Sequence, residues 1–247
     1  MEYSVRPIWH KLVTLDWKFG LFLLLFICIP RFLLVLLANA SGNYSSIGAI
    51  MVISALCPFL FLTSSGRRRI GLTRPKRYGW LLVAFLAGLI FSLLLYYVGW
   101  SLYANTYQNW YVYIGKSYNI PQAINPSNKS ILFAVVALTG MLFSPIGEEL
   151  FFRGIVHASF ANSVGDRKAT QIDGSAFALT HLSHFGFVFI HNQWHFYVVP
   201  ALIWVVSMFI VSMLFIKFKT YSSSILGAIL CHSGFNLGMT YCIFYLL

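Results

Sequence analysis

ILFAVVALTGMLFSPIGEELFFRGIVHASF, residues 131–160, is the stretch that decides the class of the chain. Its apolar opening is long enough to cross about 30 Å of hydrocarbon as a helix. Pro145 and Gly147 follow, then two adjacent carboxylates, Glu148 and Glu149, and a guanidinium at Arg153. An ionisable residue at the centre of a membrane helix costs about 2.5–3.5 kcal/mol on insertion scales, so this group demands a partner, a wet cavity or a function. The stretch is longer than one crossing needs and is expected to kink at Pro145 or to continue along the membrane surface.

Comparable apolar runs recur on both sides of it. The chain is 59% hydrophobic and 9% charged over 247 residues, whereas a soluble domain carries about 25% charged residues. A water-soluble globule is excluded. The expected fold class is all-α, a polytopic transmembrane helix bundle with spans near 19–39, 46–64, 80–104, 131–160, 175–190, 197–216 and 222–246. Residues 1–129 read as N-terminal transmembrane helices with a basic loop, and residues 130–247 as the core that carries the polar groups.

The segments before span 1, between spans 2 and 3, between 4 and 5 and between 6 and 7 hold thirteen of the 17 Lys and Arg, against Lys116 and Lys129 in the opposite loops. Cytoplasmic loops collect basic residues. The amino terminus and the loop with Arg67, Arg68, Arg69, Arg74, Lys76 and Arg77 therefore read as cytoplasmic in a multi-pass cell-membrane protein. The net charge of +11 is topological rather than a nucleic-acid footprint, so nucleic acid is not an expected partner. Cys28, Cys57, Cys231 and Cys242 all fall in spans without CxxC spacing and read as small buried residues.

Of the six Asp and Glu, only Glu148 and Glu149 lie inside a span, and the two basic residues inside spans are Arg31 and Arg153. At 100° per residue, Arg153 sits about 40° around the helix from Glu149 and about 140° from Glu148. That spacing predicts a Glu149–Arg153 ion pair and leaves Glu148 on another face. A polar knot that merely ties helices together satisfies the same facts. His181 lies one turn past Phe177, and His232 and Asn236 are one turn apart. These residues are expected to converge on Glu148 in a buried cluster opening toward the cytoplasmic side or laterally, bounded by spans 4, 5 and 7.

A carboxylate in apolar surroundings suits a general base that returns its proton to a leaving amine, and imidazole and carboxamide N–H groups can stabilise an oxyanion. The set is that of peptide hydrolysis without a covalent intermediate, with no cofactor required. A zinc version uses Glu148, His181 and His232; HExxH is absent, and spacing alone does not separate the two.

The motifs Glu148-Glu149-Leu150-Phe151-Phe152-Arg153, Phe177-Ala178-Leu179-Thr180-His181 and His232-Ser233-Gly234-Phe235-Asn236 match EExxxR, FxxxH and HxxxN. In these residues the chain resembles the CPBP family of CAAX prenyl endoproteases and bacteriocin-processing proteins, also called Abi, and its length resembles the bacterial branch. The resemblance covers about residues 130–247. It implies an intramembrane endopeptidase in which Glu148 and His181 activate water, His232 and Asn236 form the oxyanion hole, and Glu149 and Arg153 hold the shape of the site. It also implies a peptide or membrane-protein substrate drawn from the bilayer, such as a leader, pheromone or CaaX-like peptide.

His184 is a candidate supporting residue three positions past His181, and His157 reads as interfacial. Arg31, after Pro30, reads as snorkelling or lining a wet path rather than as part of the site. Ser144 lacks a GxSxG context and is expected to bond backbone freed by Pro145. Gly227, Gly234 and Gly238 read as a close-packing face. Two non-enzymatic readings compete: a membrane immunity or scaffold protein that binds a bacteriocin or partner, and a proton-coupled transporter. Transport predicts polar interruptions in both halves, whereas the polar cluster stands in the second half alone.

Overall fold

The computed structural model describes residues 4–121 and 123–247. The chain runs back and forth between two ends. Helices α1 (Trp17–Ser41) and α2 (Ile47–Phe61) form the first hairpin, and a loop with the short helix α3 (Ser64–Arg69) leads into α4 (Gly79–Tyr103). After the short α5 (Trp110–Gly115), α6 (Pro126–Glu149) continues through a π-helical segment, Leu150–Val156, into α7 (His157–Val164). Then come α8 (Asp166–Thr180), a hairpin of β1 (Phe187–Ile190) and β2 (Gln193–Phe196), α9 (Val198–Ser222) and α10 (Ile225–Tyr245). Among the described residues, four helices are long and apolar enough to cross a membrane: Trp17–Ser41, Gly79–Tyr103, Pro126–Val164 and Val198–Ser222.

The basic residues gather at one end. There Trp17 N donates to Ser163 Oγ at 2.9 Å, Asn162 Nδ2 to Leu15 O at 2.8 Å, and Lys76 N to Ser222 O at 3.0 Å. At the opposite end Asn39 Nδ2 donates to Ser183 O at 2.8 Å and Phe189 N to the Tyr113 hydroxyl at 2.9 Å.

Six of the seven expected spans appear as helices, α1, α2, α4, α6, α9 and α10, and one is corrected. The span expected at 175–190 is not a membrane helix. Helix α8 starts nine residues earlier, at Asp166, and ends at Thr180, and residues 187–196 form the antiparallel hairpin. The apolar run in that region alternates as a strand rather than a helix. His191 and Asn192, at φ 48° and 63°, make the two-residue left-handed turn that matches strand twist.

Helices α4 and α10 pack backbone to backbone. A Cβ on Gly88 would lie 1.8 Å from Cys231 O, and one on Gly234 would lie 2.0 Å from Phe85 O. Only glycine permits that approach, so the small-residue face expected on the last helix meets α4. All four cysteines are free thiols.

Candidate active site

The floor of the site is built where α6 stops being an ordinary α-helix. Pro145 has no N–H to give Met141 O, and Ser233 Oγ from α10 donates to that carbonyl instead at 2.7 Å. Ser144, expected to take this backbone role, turns the other way and donates to Glu148 Oε1 at 2.5 Å. From Leu150 to Val156 the helix widens to π geometry with every residue buried. Such segments are rare and cluster at functional sites.

Within this frame the expected ion pair is present, with Arg153 Nη1 3.1 Å from Glu149 Oε1 and both side chains fully buried. Phe177 is the lid on that pair: the Arg153 guanidinium lies 4.2 Å from its ring centroid and 5.2 Å from that of Phe215. Cation–π contacts of this kind strengthen when desolvated. His232 joins the pair through Nδ1, 2.9 Å from Glu149 Oε1, and stacks on Phe215 with ring centroids 4.7 Å apart. A carboxylate only accepts, so Nδ1 carries the proton and Nε2 is left for the cavity.

Glu148 faces away from this cluster, as the helical angle requires. Its Oε1 accepts from Arg31 Nη2 at 2.8 Å, a contact buried on both sides. Its Oε2 has no hydrogen-bond partner among the described residues and stands 3.9 Å from His181 Nε2. His181 Nδ1 meets Phe177 O at 2.7 Å. A carbonyl accepts only, so the proton sits on Nδ1 and Nε2 presents a lone pair toward Glu148. Trp204 Nε1 fixes the His181 backbone through a 3.0 Å bond to its carbonyl. Asn236 Nδ2 donates one hydrogen to Gly140 O at 2.9 Å and retains a second.

Arg31 is the residue that the sequence reading left outside the site. The signal for it was charge balance: the spans hold two carboxylates and two guanidiniums, and Arg153 is committed to Glu149. His184 lies beside His181 with ring centroids 5.4 Å apart and lines the same cavity. His157 lies away from it, bonded through Nδ1 to Asp173 Oδ2 at 2.7 Å at the basic end.

The cluster lines a cavity of about 640 Å³. Its walls include Met51, Val135, Phe143, Met208 and Met239, and its lining reaches Tyr44, Ser45, Ser117 and Tyr118. These last residues belong to the end opposite the basic loop. The expectation is a cavity that faces the cytoplasm or opens laterally; the lining runs from Glu148 toward the end opposite the basic loop, away from the basic end. The buried π segment closes that side, and α2 and α6 touch where a Cβ on Gly147 would lie 2.6 Å from Met51 O. Helices 4, 5 and 7 of the expected arrangement do bound it, as α6, α8 and α10, joined by α1, α2 and α9.

No group of three His, Cys, Asp or Glu among the described residues is placed to hold a metal ion.

Residues 130–238 match the family model described as Type II CAAX prenyl endopeptidase Rce1-like. No curated protein and no solved structure matches the chain. The matched stretch holds Glu148, Glu149, Arg153, Phe177, His181, His232 and Asn236, on a polytopic helical membrane bundle. Over residues 130–238 the chain is similar to the CAAX-type prenyl endopeptidases, a family of hydrolases.

Proposed function

We propose that the protein cleaves a peptide bond within the membrane by direct attack of water, with no metal and no acyl-enzyme. The observation that carries this is the pair of lone-pair-bearing atoms, Glu148 Oε2 and His181 Nε2, set 3.9 Å apart at the cavity floor. One water fits between them at ordinary hydrogen-bond lengths of about 2.8 Å. It donates one hydrogen to each atom and turns its own lone pairs toward the cavity.

In the reaction the water oxygen bonds to the carbonyl carbon, and its proton passes to Glu148 Oε2. The second N–H of Asn236 faces the developing oxyanion. His232 adds a second donor when its ring carries both protons, with Glu149 as the counter-charge for that form. The tetrahedral species collapses with cleavage of the C–N bond, and the proton held by Glu148 moves to the leaving amine. Arg31 and Ser144 occupy Oε1 throughout, so Oε2 alone handles the proton. Glu149 and Arg153 hold His232 in register.

The substrate class is a peptide such as a leader, a pheromone or a CaaX-like segment, and the protein is placed in the cell membrane with its basic end in the cytoplasm. The test is cleavage of such peptides by the full chain in liposomes, wild type against Glu148→Gln. Cleavage by the wild type and its loss in a folded variant support the reading. Equal cleavage by both overturns it. Cellular protection against a bacteriocin that persists in Glu148→Gln supports the non-catalytic immunity function instead.

A further inference from the structure

Two facts about the bundle point in opposite directions along its axis. Thirteen of the 17 Lys and Arg sit at one end, with Lys116 and Lys129 at the other, a bias that places the basic end in the cytoplasm. The active-site cavity reaches the non-basic end, where Tyr44, Ser45, Ser117 and Tyr118 line it. On the basic side the site is closed by Phe151, Phe152, Ile155 and Val156, none more than 1% exposed. The charged cavity at the basic end, lined by Arg69, Asp166 and Lys219, shares no lining residue with the first.

We propose that the substrate reaches Glu148 from the membrane face opposite the basic loop, so that the peptide taken is an exported or outer-leaflet segment. The inference rests on the endopeptidase reading for the word substrate and on geometry alone for the direction of access. The walls specify the chemistry of that segment. Among the described residues, Arg31 and Glu148 are the only Lys, Arg, Asp or Glu in the lining, both at the floor and paired with each other. A charged side chain entering such walls finds no partner and carries its full desolvation cost. The segment is therefore uncharged and apolar where it meets the cavity, with its scissile bond at the inner end of the path. Gly48 and Gly140, on the facing helices α2 and α6, have no atom within 4 Å of where a Cβ would stand, so the backbone of an extended peptide can lie against both.

The test is accessibility of introduced thiols in the full-length protein, in a Cys28→Ser background because the other three cysteines are buried. Ser45→Cys marks the mouth, Gly48→Cys the cavity wall and Ser64→Cys the basic loop. Each is exposed to a membrane-impermeant thiosulfonate in right-side-out and in inverted vesicles, and the adduct is read as a mass shift. The expected result is modification of Ser45→Cys and Gly48→Cys in right-side-out vesicles, with Ser64→Cys modified only in inverted ones. Modification of Ser45→Cys and Gly48→Cys only in inverted vesicles overturns the proposal. So does a Gly48→Cys thiol that stays unreacted in right-side-out vesicles while Ser45→Cys reacts. The labelling does not depend on catalysis, so a Glu148→Gln variant that retained cleavage would remove the endopeptidase reading without altering this pattern.

Discussion

Arg31 and Glu148 lie 117 residues apart in sequence and meet through a 2.8 Å contact inside the bundle. The pair joins the first helix to the candidate general base and supplies the positive charge that a buried carboxylate needs. Removing one member of a buried ion pair strands the other and typically costs about 3–5 kcal/mol. Arg31→Ala is therefore expected to lower thermal stability in detergent sharply. Arg31→Ala combined with Glu148→Gln is expected to recover part of that loss, because the stranded charge is gone. A double-mutant cycle measured by thermal unfolding checks this, and strictly additive losses would contradict the pairing.

The oxyanion donors should act on turnover rather than binding. Asn236→Ala is expected to lower kcat by about 10²–10³, the usual cost of losing one such donor, with little change in KM. Steady-state cleavage of a fixed peptide substrate distinguishes this from a packing defect, which would raise KM or unfold the protein.

Glu149 and Arg153 are expected to report as structural positions with a catalytic echo. Arg153→Met leaves Glu149 buried without its guanidinium and should cost about 3–5 kcal/mol of stability, accompanied by loss of activity as His232 loosens. Retention of both wild-type stability and full cleavage in this variant would mean that the ion pair does not set the site.

Much of this was legible in the chain before any fold was described. Apolar run length gave α1, α2, α4, α6, α9 and α10 to within a few residues, because membrane helices are selected on length and hydropathy. The angular argument gave the Glu149–Arg153 pair, because both groups sit on one helix. What stayed hidden depended on how helices face one another. Arg31 reaches Glu148 only because α1 packs beside α7 and the π-helical segment that follows α6, and periodicity within a helix says nothing about its neighbour. Ser144 does not take its expected backbone role because Ser233 on α10 bonds the carbonyl freed at Met141. The first strand of the hairpin, Phe187–Ile190, falls in the span expected at 175–190 because a short apolar run is ambiguous between the two periods.

Metal removal provides a further separation of mechanisms. The arrangement around Glu148 predicts that EDTA or 1,10-phenanthroline leaves cleavage by the purified protein unchanged. A catalytic zinc would make activity chelator-sensitive and restorable by added zinc, and that outcome would contradict the direct-water scheme.

The central claim is that Glu148 and His181 together activate the attacking water. Its most direct test is single-turnover cleavage of one apolar peptide in liposomes by wild type, Glu148→Gln and His181→Ala, each shown to retain the wild-type melting profile. General acid–base groups contribute about 10²–10⁴ in rate, and both variants are predicted to lose cleavage by at least the lower figure. Cleavage at the wild-type rate by either folded variant would contradict the account.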